Sequence, residues 1–121
     1  MNCSTVTTDK SILDIVINNL ILNGIQSVSN PENARIHISV YTPESSNDKL
    51  EIRVSDNGNG IPESEFPKIF TPYFTTKSSG SGIGLFLASQ LMNKLGGEIW
   101  FESTLGQGTS FFLLLPSSSK S

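Results

Sequence analysis

The amino-acid sequence predicts an α/β two-layer sandwich, a mixed but mainly antiparallel sheet with helices on one face. Three observations carry this expectation. Two stretches alternate apolar and polar side chains: Arg35 to Tyr41, with Ile36, Ile38 and Val40 on one side, and Leu50 to Ser55, with Leu50, Ile52 and Val54. Two others, Ser11 to Val28 and Gly84 to Leu95, repeat apolar residues at helical spacing. A last pair of strand-like runs, Glu98 to Glu102 and Thr109 to Leu115, is joined by turn-forming residues 103–108. Antiparallel hairpins of this kind have one apolar face, and helices must cover it.

Taken in order, residues 1–8 read as a loose end or short strand, and residues 117–121 after Pro116 as a disordered tail, so one domain spans 1–116. In the first helix Ile12, Leu13, Ile15, Val16, Ile17, Leu20, Ile21, Leu22 and Ile25 cover nearly the whole circumference, which predicts a buried helix. Asp9 or Ser11 is placed to cap its start, and Ser29-Asn30-Pro31 ends it. The polar stretch Pro43 to Lys49 makes the first two strands a hairpin with a loose tip. The second helix carries Leu85, Ala88, Leu91, Met92 and Leu95 and stops at Gly96-Gly97. Residues Phe66 to Gly80, rich in Thr, Ser, Gly and Pro and without periodicity, read as a movable lid.

Composition removes several classes of function. A chain of 121 residues, 36% apolar, can bury one core and so predicts a single domain. A net charge of -3 without any basic cluster gives no footprint for nucleic acid. With one cysteine, Cys3, and one histidine, His37, neither an internal disulfide nor a Cys/His metal cage can form. No apolar run reaches the ~20 residues of a membrane span, and the opening residues lack the pattern of a signal peptide. The expectation is a soluble chain in a reducing, cytoplasmic setting, with no direct membrane contact.

Three features carry chemistry. On the first helix Asn19, Asn23 and Gln26 fall within about 60° of one another and form a polar strip on an otherwise apolar rod. Carboxamide oxygens are hard ligands that suit Mg²⁺, although on the helix alone hydrogen bonds to neighbouring backbone are the simpler account. Asp56 follows a strand directly and is succeeded by Asn57-Gly58-Asn59-Gly60-Ile61. Its carboxylate can project into a pocket where Gly58 and Gly60 let the backbone approach a ligand. A carboxylate accepts from the exocyclic amine of adenine and repels the carbonyl that guanine presents there. Read in isolation, the same residues make an ordinary turn at the end of a strand. Finally, Gly80-Ser81-Gly82-Ile83-Gly84-Leu85 opens the second helix, and exposed N–H groups at a helix start suit phosphates. No strand-like run precedes it, which disfavours a Rossmann turn, and no Gly-Lys-Ser/Thr is present, which excludes a P-loop.

The ordered set Asn19-Leu20-Ile21-Leu22-Asn23, residues 56–61, Ile69-Phe70-Thr71-Pro72-Tyr73-Phe74-Thr75-Thr76-Lys77, residues 80–85 and Gly106-Gln107-Gly108-Thr109-Ser110-Phe111 resembles the catalytic ATP-binding domain of sensor histidine kinases in two-component systems. The likeness runs from about Asp9 to Leu115 and matches that family's N, G1, F, G2 and terminal glycine boxes in order. The family lies within the wider group of gyrase, the Hsp90 chaperones and MutL, and the resemblance implies their Bergerat-type fold. It implies ATP and Mg²⁺ as cofactors, Asn23 as the magnesium ligand and Asn19 beside it. Asp56 would bind the adenine amine, in a pocket shaped by Gly58, Gly60 and Ile61. Gly80, Gly82, Ile83, Gly84 and Leu85 would line the phosphates, Thr109 would support Asp56, and Lys77 would touch the phosphates.

One departure concerns the position three residues after the magnesium Asn. Many relatives carry a basic residue there, and this chain has Gln26. Another bears on the reaction, because ATPase relatives place a water-activating Glu where this chain has Asn19. An amide cannot take a proton at neutral pH, whereas an imidazole nitrogen needs no strong base to attack phosphorus. Phosphoryl transfer to histidine is therefore expected over hydrolysis; an ATPase module and a degenerate nucleotide-binding interaction domain are the alternatives. His37 reads as a surface strand residue, so the phosphoacceptor histidine domain is expected elsewhere in a parent protein, membrane-anchored or not, that serves a response regulator. Tyr73 and Phe74 are candidates for docking that domain, Phe70 reads as a core anchor, and the isolated domain is expected to be a monomer.

Overall fold

The computed structural model describes residues 10–42, 49–72 and 84–116. Helix α1 spans Lys10–Gln26. Strands β1 (Ile36–Tyr41) and β2 (Lys49–Asp56) follow, then a 3-10 segment, Glu63–Lys68, then helix α2 (Gly84–Lys94) and strands β3 (Glu98–Thr104) and β4 (Gly108–Pro116). Every pairing among these strands is antiparallel, and the order is β1-β2-β4-β3. The expected two-layer α/β sandwich is thus observed. Both hairpins are present, each strand lying within one or two residues of its expected bounds. No helix among the described residues is long and apolar enough to cross a membrane.

Parity along the central strands explains where the core sits. In β2 the inward series Leu50, Ile52, Val54 pairs across with Leu115, Leu113 and Phe111 of β4. Ile52, Val54, Phe111, Leu113 and Leu115 are buried together with Val16 and Leu20 of α1, Ile69, and Ala88 and Met92 of α2. The same parity carries one step further than the apolar run, so Asp56, paired with Thr109, faces the helix side too.

The opposite face of the sheet carries no helix among the described residues and is organised differently. Arg53, Phe112 and Trp100 are register neighbours across β2, β4 and β3. Trp100 stacks on Phe112 at 5.4 Å between ring centroids, and the Arg53 guanidinium lies 4.8 Å from the Phe112 centroid on this ladder. Phe112 is thereby only 5% exposed although it lies outside the main core. Next to this row, the Tyr41 hydroxyl donates to the Glu51 carboxylate at 2.7 Å.

Two expectations about burial are corrected. Helix α1 is not buried all round: Val16, Leu20 and Gly24 form its buried line, while Ile15 is 46% and Leu22 52% exposed. Two helices over four strands cover only one side of each helix. Likewise β1 lacks a continuous buried side, with Ile38 at 43% and Val40 at 55% exposure, because it is an edge strand that α1 scarcely reaches. The expected N-cap Asp9, both chain ends and the tip at 43–48 lie outside the described residues, and Ser11 is inside the helix rather than its cap.

The beginning of the expected lid is also fixed in the fold. Phe66 packs edge-on against Phe101 at 4.9 Å, and Phe70 packs against Phe101 and Phe111 at 5.8 and 6.2 Å. With Ile69 fully buried, residues 66–70 anchor the segment to the core, as read for Phe70. Residues 73–80 of the lid, Tyr73 and Phe74 among them, lie outside the described residues.

The one-sided burial of α1 gives a direct test by urea denaturation. Leu20→Ala should cost about 2–5 kcal/mol of stability, and Leu22→Ala should stay within about 0.5 kcal/mol. Equal losses would restore the fully buried helix. The Tyr41 pair gives a second test. The hydrogen bond to Glu51 holds the phenol above its ordinary value of 10.0, so its stabilisation is complete below that value and is lost as pH rises through the raised one. In Glu51→Gln the alkaline absorbance titration of Tyr41 should move down towards the ordinary value.

Candidate nucleotide-binding site

The end of β2 is held by an unusually close approach of α1. A methyl group at Gly24 would lie 2.7 Å from Ile36 Cδ1 and 2.9 Å from Asp56 Cβ, so the helix can rest on the strand end only with a bare Cα there. One turn later the Ser27 hydroxyl donates to the Gly24 carbonyl at 2.8 Å and lies 3.4 Å from Asp56 Oδ1. The carbonyl of Ser27 accepts from the Asn59 amide at 3.0 Å, which ties the helix to the glycine loop.

That loop, residues 57–62, is stitched on all sides. The Asn57 side chain accepts from the Arg35 amide at 2.8 Å and donates to the Asn33 carbonyl at 3.0 Å, fastening the entry to β1. The Asn59 carbonyl accepts from Gly106 at 2.6 Å, and the Ile61 amide donates to Ser103 Oγ at 2.8 Å, which fastens the β3–β4 hairpin. Gly58 is buried, and a Cβ there would collide with Ser27 Oγ and lie 2.6 Å from Ser27 Cβ. Gly60 has φ of 77°, and a Cβ there would collide with the Thr104 carbonyl oxygen.

Asp56 is the centre of these contacts. Its Oδ1 accepts from the Gly58 amide at 2.8 Å and the Thr109 amide at 3.3 Å, with Ser27 Oγ as the third neighbour. The orientation of the carboxylate is thus set from the loop, from β4 and from α1. A polar cavity of about 250 Å³ opens beside it, lined by Asp56, Ser103, Gln107 and Thr109 among others. Thr109 supports Asp56 through its backbone amide; its buried hydroxyl is shared with Ser103 Oγ at 2.8 Å.

The amide strip meets the second helix. Asn19 Nδ2 is buried and has no hydrogen-bond partner among the described residues, and Asn19 Oδ1 lies 3.8 Å from where a Cβ of Gly84 would sit. The start of α2 therefore lies beside Asn19. Asn23 is half-buried and Gln26 exposed on the same helix. Ile61 and Leu85 pack against the core. Lys77, Gly80, Gly82 and Ile83 lie outside the described residues, whereas Asp56, Gly58 and Thr109 meet at the end of β2, Gly60 lies against the β3–β4 hairpin, and Asn19 stands by Gly84 where α1 meets α2. Ser27, Asn57 and Ser103 were not singled out in the sequence. Their polar side chains look like loop residues until their distant partners are known.

This geometry has counterparts. A family model described as histidine kinase-, DNA gyrase B-, and HSP90-like ATPase matches residues 8–119. The chain is 39% identical over 113 residues to the signal transduction histidine-protein kinase AtoS of Escherichia coli, covering 93% of this chain and 18% of that protein. It is 42% identical over 105 residues to a probable C4-dicarboxylate sensor kinase of Halalkalibacterium halodurans, covering 86% of this chain and 20% of that protein. Among solved structures, the catalytic domain of the histidine kinase ThkA superposes with a TM-score of 0.77 at 33% identity, over 92% of this chain and 70% of that one. The chain thus spans about a fifth of the length of these curated relatives.

The turn at Gly60 provides a test that needs no ligand. Gly60→Ala must place a side chain at positive φ against the Thr104 carbonyl, and should lower stability by about 1–3 kcal/mol in a thermal melt. An unchanged melting temperature would refute the close approach.

Proposed function

The chain belongs to the histidine kinase-, DNA gyrase B-, and HSP90-like ATPase family, as the catalytic ATP-binding domain of a sensor histidine kinase, and from that premise we propose how its residues hold Mg-ATP for transfer to a histidine. The observation that carries the reading is the Asp56 carboxylate, pinned through Oδ1 on the helix side of the sheet beside Gly24 of α1. Asp56 would accept a hydrogen bond from the adenine amine. Gly58 and Gly60 bring the loop backbone close to the base, and Ile61 supplies an apolar wall.

The residues fit the group they are proposed to hold. Asn19 carries a buried amide donor without a partner among the described residues, beside the first residue of α2, a polar atom that a nucleotide phosphate would satisfy. Asn23, one turn on, offers the carboxamide oxygen for Mg²⁺. Gly84 and Leu85 at the start of α2, with Gly80, Gly82 and Ile83, would hold the phosphates, and Lys77 would supply the positive charge that Gln26 does not. When bound, Mg-ATP brings the transferable γ-phosphoryl group and the cation that neutralises its charge.

The character of Asn19 favours transfer over hydrolysis. It stands four residues before Asn23, and its amide cannot accept a proton from water. An incoming imidazole already presents a lone pair and needs no base from this chain. His37 is exposed on β1, where its partners in register are Ser55 and then Ser110 on the open face of the sheet. The acceptor histidine is accordingly proposed to lie on a separate domain of the parent protein, which passes the phosphoryl group to a response regulator. The domain by itself is proposed to be a cytoplasmic monomer.

Calorimetric titration tests this reading. ATP should bind in the presence of Mg²⁺ and GTP should not, and Asp56→Asn should weaken ATP by at least about tenfold through loss of a charge-assisted hydrogen bond. Absence of ATP binding by the unaltered chain, or an unchanged affinity in the variant, would overturn it.

A further inference from the structure

We propose that Ser27 is a positioning residue for adenine recognition: it fixes the Asp56 carboxylate from the helix side and so couples base selection to α1. The proposal rests on the reading of Asp56 as the adenine-binding carboxylate. It concerns a residue outside the motifs that the sequence displays, four positions beyond Asn23.

Four contacts define the role. The Ser27 hydroxyl donates to the Gly24 carbonyl at 2.8 Å, which fixes the χ1 rotation of the side chain. Held there, the same hydroxyl lies 3.4 Å from Asp56 Oδ1, near enough to share its proton in a three-centre bond. The Ser27 carbonyl accepts from the Asn59 amide at 3.0 Å. The side chain also covers the Cα of Gly58, leaving no room for a Cβ on that residue. Ser27 therefore touches Gly58 and Asn59 of the loop as well as the carboxylate itself.

Two further donors to Oδ1, the amides of Gly58 and Thr109, belong to the loop and to β4. Ser27 is the only side-chain donor among the three and the only one on the helix that carries Asn19 and Asn23. With three donors around one oxygen, rotation of the carboxylate about its Cβ–Cγ bond is blocked, and the direction it presents to the exocyclic amine is defined. Removing the hydroxyl loosens that direction. The rest of the pocket keeps its backbone contacts, because the amides of Gly58, Asn59 and Thr109 retain theirs.

A thermodynamic cycle between the protein and its ligand separates positioning from general support. Ser27→Ala and the unaltered chain are titrated, with Mg²⁺ present, with ATP and with purine riboside 5′-triphosphate, which lacks the exocyclic amine. The expected result is a three- to tenfold loss of ATP affinity in Ser27→Ala, about the worth of one weakened bond to a charged group, and less than about twofold change for the nucleotide without the amine. A loss of the same size for both nucleotides, or no loss for ATP, would overturn the role of Ser27. If the unaltered chain binds ATP no better than purine riboside triphosphate, the assignment of Asp56 fails before the variant is made.

Discussion

The close seating of α1 on the end of β2 is the constraint from which the rest of the pocket follows. It is possible only because Gly24 has no side chain, which leaves Asp56 Cβ within contact of the helix backbone. A glycine inside a helix costs about 1 kcal/mol relative to alanine. The buried line Val16 and Leu20, packed on the sheet, offsets that cost and keeps the helix in place. Once the helix is seated, its last turn reaches the glycine loop, the loop is drawn under Ser27, and the second helix begins opposite Asn19.

The sheet contributes a second constraint, that of parity. Asp56 and Thr109 occupy core-facing positions at the ends of strands whose other core-facing residues are aliphatic or aromatic. A carboxylate at such a position is removed from bulk water on one side and needs donors, which the loop amide, the strand amide and the serine hydroxyl provide. The acidic group is therefore stiff because of where the strand puts it. The glycines that follow serve the same end, allowing backbone amides to turn back onto the carboxylate that precedes them.

Much of this was legible in residue order. Alternation in 35–41 and 50–55 located both strands of the first hairpin, and the spacing of Leu85, Ala88, Leu91 and Met92 located α2. The acidic residue, the glycines and the paired amides led to the pocket proposed above. Cover was misjudged, because a count of apolar residues around α1 says nothing about how many neighbours exist to bury them, and Ile38 and Val40 sit on an edge strand that α1 covers only near Ile36. The polar fasteners were invisible for another reason. Ser27 meets Asp56 across 29 positions, and Ile61 meets Ser103 across 42. No local pattern signals a hydroxyl whose partner is set by the packing of a helix on a sheet.

The stacked row on the open face has an optical consequence. Trp100 is the single tryptophan of the chain, and it lies flat on Phe112, on the side of the sheet away from both helices. Its emission reports the integrity of the β2–β4–β3 ladder, since the indole is shielded only while those three strands remain in register. The proposed nucleotide pocket lies on the far side of the same strands from the indole. The molecule thus carries a built-in fluorophore that senses unfolding of its sheet and is insulated from what occupies its helix side.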